Sequence, residues 1–243
     1  MGAKGPRRTP ILLDVPRFEQ PDEETCGPTC LAKVYQYYGL TAPLERIIAE
    51  TPRNPGGGTL AVNLGISAIG RGFRPTIYPF GLRVFDPTWL QLDPSALIDK
   101  LTQRSATVDS PPLRRAVAAY ADFLKLGGRV RFEEPTPELL VRILAKGDPI
   151  LTGLSATYLY GTAREHENQY DDIRGHSTGH FVVVCGYEWH TRRFVVTDPF
   201  RNVPLSQTGL YTVPAQRLLL AILLGDQTYD AVLLTLGHPV SKS

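Results

Sequence analysis

The chain has 243 residues, 42% hydrophobic and 21% charged, a balance that excludes a disordered, highly charged polymer. Twenty-six lysines and arginines against 24 acidic residues leave a formal charge of +2, without the basic excess that nucleic-acid binding needs. Three cysteines are too few for a disulfide scaffold, and the odd count leaves at least one thiol unpaired within the chain.

Residues 1–10 read as a flexible tail. It is no secretory signal, because only Ile11, Leu12 and Leu13 follow its positive charge. No stretch approaches the ~18 apolar residues of a membrane span. The expected setting is therefore cytoplasmic, with reduced thiols. Ile11–Val15 is a short strand candidate ended by Pro16. A helix opens at Cys26 and runs to Tyr38. Cys30, Leu31, Val34, Tyr35 and Tyr38 share one of its faces, Pro28 is tolerated in its first turn, and Gly39 closes it. Pro43–Glu50 predicts a second helix. The glycine-rich loop at 52–58 lacks the Lys-Ser/Thr pair of a phosphate-binding loop and reads as a connector. Thr59 is expected to cap a helix to Gly70. Phe73–Tyr78 reads as a strand, Ser95–Gln103 as a helix in an irregular stretch, and Leu113–Leu126 as a helix ended by Gly127-Gly128. Thr136 caps a helix to Lys146. Strands follow at Ile150–Leu154, His180–Tyr187 and Arg193–Thr197, the last two as a hairpin. Val213–Leu224 reads as a helix and Tyr229–Leu236 as a final strand. Helices crowd the first half and strands the second, which predicts an α+β fold.

The three cysteines divide by position. Cys185 lies inside an apolar strand and Cys30 on the apolar face of a helix, so both read as core filling. Cys26 stands at a helix start, where free N–H groups and the positive end of the macrodipole favour a thiolate. Gly27 beside it would let a substrate backbone approach closely. A reactive thiol needs a base, and the base needs a group to orient it. His180 is at the mouth of a buried strand, and Asp198 ends the antiparallel partner strand, so the two should meet. Gln20, six residues before Cys26, could join the Cys26 N–H as an oxyanion donor.

The segment Gln20-Pro-Asp-Glu-Glu-Thr-Cys26-Gly-Pro-Thr-Cys30-Leu31, then Gly179-His180-Phe-Val-Val-Val, then Asp198-Pro199, resembles the bacteriocin-processing (double-glycine leader) cysteine peptidases. It looks closest to their stand-alone relatives of papain-like fold. The resemblance implies Cys26 as nucleophile, His180 as general base and acid, Asp198 as the group orienting His180, and Gln20 as oxyanion donor. It also implies a helical N-terminal part, carrying the nucleophile helix, packed on a C-terminal antiparallel sheet. Residues 11–243 would then form one peptidase domain, with a less recognisable insertion at about 81–135. Many family members carry Asp directly before the cysteine, where this chain has Thr25.

The expected partner is a peptide or protein substrate, small or leader-type, with no cofactor, no metal and no nucleic acid. The polar segment 155–179 is either a recognition loop or a solvated excursion. Gly179, Tyr158, Tyr160 and His176 are its candidate substrate contacts. Three alternatives stay open. The domain could bind peptides without cleaving them, or it could pass the acyl group to an amine as an amidase or transpeptidase does. Cys26, Cys30, His176 and His180 could also hold a structural zinc, their C-x3-C and H-x3-H spacings being tolerable ones.

Overall fold

The computed structural model describes residues 9–55, 57–201, 203–225 and 231–239. The tail expected over 1–10 therefore lies outside the described residues except for Thr9 and Pro10, as do Tyr229 and Asp230 of the last expected strand. In chain order the elements are β1 (Ile11–Leu12), α1 (Cys26–Tyr37), α2 (Leu44–Glu50), α3 (Ala61–Gly70), β2 (Thr76–Pro79), α4 (Pro94–Thr107) and α5 (Pro111–Lys125). There follow β3 (Arg129–Val130), α6 (Pro137–Leu144), β4 (Ile150–Ser155), α7 (Ala156–Tyr160), β5 (Glu165–His166) and β6 (Gln169–Tyr170). The chain continues through β7 (Gly179–Glu188), β8 (Arg193–Thr197), β9 (Leu210–Pro214), α8 (Ala215–Leu223) and β10 (Val232–Thr235). No helix among the described residues is long and apolar enough to cross a membrane.

The main sheet has the order β3-β2-β10-β4-β7-β8-β9, antiparallel except where β2 meets β3. Strand β7 is its spine. Its first half pairs with β4, its far end pairs with β1 on the same edge, and β8 runs along the other edge. Successive side chains alternate between faces. Phe181, Val183 and Cys185 enter the core built with α1, α3 and α5, while Val182 and Val184 enter the core built with α6 and α8. A bulge between Val184 and Gly186 shifts the parity, so Tyr187 joins Val182 and Val184. Gly186 allows β1 to close in, because a Cβ there would lie 2.5 Å from the Ile11 carbonyl oxygen. The α+β class holds, with one difference: helices cover both faces of the sheet. The α4–α5 pair packs into the same core as Cys30 and Leu31, through Leu101, Tyr120 and Phe123.

Helix α1 is the central helix, buried on every side from Cys26 to Tyr35. Gly39 ends it at φ +82°, and the Leu40 N–H reaches back to the Tyr35 carbonyl. Strand β8 and the Thr136 cap occur as read, the Thr136 hydroxyl accepting from the Leu139 N–H. Other boundaries move. Thr59 is not the cap of α3; that place belongs to Leu60, and the Thr59 hydroxyl donates to the Pro52 carbonyl. Phe73 lies outside β2, its N–H turned back to the Ala68 carbonyl at the end of α3 and its ring stacked on Tyr35. Val213 and Pro214 belong to β9, which pairs with β8 and delays α8 to Ala215.

Candidate active site

Four segments converge at one end of β7. Cys26 opens α1, His180 is the second residue of β7, Asp198 directly follows β8, and Gln20 lies in the segment leading to α1. The start of α1 is open. Thr25 makes no side-chain capping bond, its hydroxyl donating instead to the Asp22 carbonyl, and no acidic residue occupies the first turn. The first-turn N–H groups therefore face outward from the helix end that carries the Cys26 thiol.

His180 links this thiol to Asp198. Its Nε2 is 2.8 Å from Asp198 Oδ1, and Cys26 is close enough to act on the ring's charge. Asp198 is buried, and four donors surround its carboxylate among the described residues. Oδ1 accepts from His180 Nε2 and from the Phe200 N–H at 2.9 Å. Oδ2 accepts from the hydroxyls of Tyr160 at 2.7 Å and Tyr211 at 2.6 Å. Burial acts to lower the His180 pKa, but Asp198 and Cys26 outweigh it and lift the imidazole to about 10. Burial acts to raise Asp198, yet the imidazolium and the phenol donors hold it below its ordinary range.

Two residues fasten α1 to these partners. The Cys30 thiol, kept protonated by burial, donates to the Phe181 carbonyl at 3.3 Å, next to His180. Lys33, wholly buried, donates to the Asp198 carbonyl at 2.9 Å and to the Thr197 hydroxyl at 3.3 Å. Its ammonium is lowered by burial, against the opposing pull of Cys30, Asp198 and Cys185. Cys185 is also core filling, its thiol pushed by burial to about 11 and facing the Val195 carbonyl.

Gln20 is held by its own N–H to the Pro199 carbonyl. Its side-chain Nε2 donates to the Asp22 carbonyl at 2.7 Å, which fixes the amide's orientation. One Nε2 hydrogen is thus engaged, and the second is the one left for an oxyanion. The amide oxygen is buried without a partner.

A cavity of about 790 Å³ opens beside His180 and Gln20, while Cys26 and Asp198 are buried and do not line it. Gln20, Tyr160, Gly179, His180 and Phe200 line it, and Asp22, Glu23, Glu24 and Glu165 make its rim acidic against a single cation, Arg53. The 155–179 segment is a wall of the cavity. It folds as α7 followed by the β5–β6 hairpin, whose tip residues Glu167 and Asn168 both take positive φ as a tight hairpin turn requires.

The expected substrate contacts divide. Gly179 lines the cavity. Tyr160 also lines it, though its hydroxyl is committed to Asp198. Tyr158 is a correction: it lies two residues away on a helix, hence about 200° around, and faces a separate groove under Arg217. His176 is a second correction, being an exposed residue bridged through its backbone to Glu165. Gly27 is the third. It faces the core, and a Cβ there would lie 2.6 Å from Thr59 Cγ2 and 3.3 Å from Phe181 Cδ2. Gly27→Ala is expected to cost about 1–3 kcal/mol of stability by overpacking, read as an earlier denaturant midpoint. The zinc constellation is not assembled either, since Cys30 bonds Phe181 inside the core while His176 is exposed and bridged to Glu165.

The sequence reading missed Lys33 and Tyr211, and it gave Tyr160 the wrong partner. Tyr160→Phe or Tyr211→Phe removes one donor from a buried carboxylate, and each should cost about 1–2 kcal/mol. The double variant leaves Oδ2 bare, so its loss should exceed the sum of the single losses. Denaturant titration of the four proteins checks this.

No family model matches the sequence, and no curated protein matches it. Solved structures similar to this one include a Bacillus anthracis protein described as a C39-like peptidase. It is 14% identical, with 96% of this chain and 100% of that chain covered and a TM-score of 0.48. Xylellain, a cysteine protease from Xylella fastidiosa, is 15% identical, with 96% and 87% covered and a TM-score of 0.46. A double-glycine-motif protease from an AMS/PCAT transporter, solved with its leader peptide, is 15% identical, with 93% and 97% covered and a TM-score of 0.43.

Proposed function

We propose that this chain is a cysteine peptidase related to the bacteriocin-processing family, with Cys26 as nucleophile, His180 as general base and acid, Asp198 as its orienter and Gln20 as an oxyanion donor. The observation that carries the proposal is the buried His180–Asp198 pair, 2.8 Å apart, with Cys26 beside it at the start of α1 and His180 lining a cavity that can admit a short peptide segment. The Cys26 thiolate attacks the carbonyl carbon of the scissile amide, and the carbonyl π electrons move onto oxygen. N–H groups at the start of α1 and the second Gln20 Nε2 hydrogen receive that oxyanion. The tetrahedral intermediate collapses, the C–N bond breaks, and the His180 imidazolium gives its proton to the leaving amine. Neutral His180 then takes a proton from water, whose oxygen attacks the thioester carbon. The C–S bond breaks, releasing the carboxylic acid and restoring Cys26. Asp198 keeps its charge throughout, supporting the imidazolium whenever it forms.

The test is a mass-spectrometric scan of a peptide library digested in ¹⁸O-water. Hydrolysis predicts new carboxyl termini that carry one solvent oxygen from a shared sequence context. An uncleaved library, or products joined to amines without label, would contradict the hydrolytic reading.

A further inference from the structure

The β3–β2–β10 edge of the sheet carries a second cavity, of about 230 Å³, into which Arg74, Arg129, Arg131 and Lys146 converge. The convergence follows from the fold. Strand β3 pairs parallel with β2, Thr76 opposite Arg129 and Ile77 opposite Val130. Ile77 and Val130 turn to the α1 core, so the alternate positions turn to the other face. The Arg131 N–H to the Ile77 carbonyl extends that register, and the Arg74 N–H is held by the Leu236 carbonyl. Lys146 follows the end of α6, its N–H on the Ile143 carbonyl.

None of these four cations makes an ion pair among the described residues, and the one hydrogen bond from their charged groups is that of Arg129 Nη2 to the Arg74 carbonyl at 3.5 Å. One carboxylate lines the cavity, that of Asp148, and its Oδ1 already accepts from the Tyr38 hydroxyl at 2.7 Å. Glu133, nearby, is engaged by Arg142. In a chain of net charge +2, these four cations against the single carboxylate of Asp148 leave the lining of one small cavity with a net charge of +3. Thr76, Tyr78 and Thr235 add hydroxyls to its wall.

We propose that this cavity binds a compact phosphate-type polyanion, either a free phosphate compound or a phosphomonoester headgroup. Guanidinium forks match phosphate oxygens in pairs, and three arginines of the lining can supply them. The volume lies below the ~300–1,000 Å³ of pockets that take drug-sized ligands, which suits one or two phosphoryl groups.

Isothermal titration of the full chain with inorganic pyrophosphate tests the site. Wild type should bind one equivalent, and Arg129→Gln/Arg131→Gln should bind roughly tenfold more weakly for each arginine lost. Lys146→Gln, on an exposed position after α6, should weaken binding if the strand variant proves poorly folded. Arg115→Gln, on the exposed side of α5, should bind as wild type does. Flotation with phosphatidylcholine vesicles, with and without phosphatidic acid, separates the two sources. Vesicle binding that depends on phosphatidic acid and is lost in the double variant assigns the headgroup. Binding of pyrophosphate alone assigns the free compound. Two results would overturn the proposal: wild type that binds neither probe, or binding that survives both the double variant and Lys146→Gln.

Discussion

Cys26→Ala abolishes peptide turnover while Cys30→Ala and Cys185→Ala leave it within about tenfold of wild type, losing stability instead. The contrast follows from what each thiol touches. Cys26 alone opens a helix and stands beside the imidazole; Cys30 faces the Phe181 carbonyl and Cys185 the Val195 carbonyl, both inside the core. Loss of the nucleophile in a triad that works as a unit costs on the order of 10⁶-fold in turnover. Truncating a small buried thiol costs about 1–2 kcal/mol through a minor cavity and a lost weak hydrogen bond. The measurement is steady-state cleavage beside denaturant unfolding for the three variants. Turnover that persists in Cys26→Ala would sink the assignment, and so would its abolition in Cys185→Ala with the fold intact.

Asp198→Asn should lose both activity and stability, although the substitution changes almost no volume. Each carboxylate oxygen accepts two hydrogen bonds. An asparagine amide can present only one oxygen, so its NH₂ must face either the two phenols or the His180 and Phe200 donors. Facing the second pair, the NH₂ meets the Phe200 N–H donor to donor; facing the phenols, it makes both hydroxyls accept and takes away the acceptor they had, and either arrangement costs about 2–4 kcal/mol. The imidazole also loses its stabilising charge and its fixed tautomer, so turnover should fall by about 10²–10⁴-fold. The stability gap between wild type and variant should depend on pH. His180 is raised from 6.5 to about 10, so its contribution is complete below about pH 6.5 and fades as pH rises through about 10. Asp198 is lowered from 3.8, so its contribution is complete above that value and fades as pH falls through its lowered folded value. The gap in melting temperature should be widest between about pH 4 and 6.5 and narrow on both sides. A gap independent of pH would contradict a charged His180–Asp198 pair.

The site was legible where chemistry and local pattern coincide. Cys26 before an apolar helix face, His180 at a strand mouth and Asp198 at the end of the next strand could each be placed by period and turn. The hairpin register then brought the last two together. What stayed hidden depends on burial set by distant elements. Lys33 reads as a solvent-facing lysine because charged residues are rarely buried. It is enclosed because α1 is wrapped on all sides, and its charge is met by a hydroxyl and a carbonyl 164 and 165 positions away. Tyr211 is on β9, a five-residue strand that exists through its pairing with β8. The two-residue strands β3, β5 and β6 are likewise products of tertiary pairing, too short for any periodic signal. Gly27 was misread because a glycine beside a reactive thiol suits a close-approaching substrate as well as it suits tight core packing. Distinguishing them requires knowing that Thr59 and Phe181 lie behind it.

The central claim is that Cys26, His180 and Asp198 act together to make one thiol reactive. Its most direct test is the rate of iodoacetamide labelling across pH, with the modified cysteine identified by peptide mass mapping, in wild type and in His180→Ala. The account predicts rapid single labelling at Cys26 at neutral pH. Cys30 and Cys185 should stay silent until unfolding, and Cys26 labelling in His180→Ala should slow. Slow labelling of Cys26 in the folded protein, or an unchanged rate when His180 is removed, would contradict it.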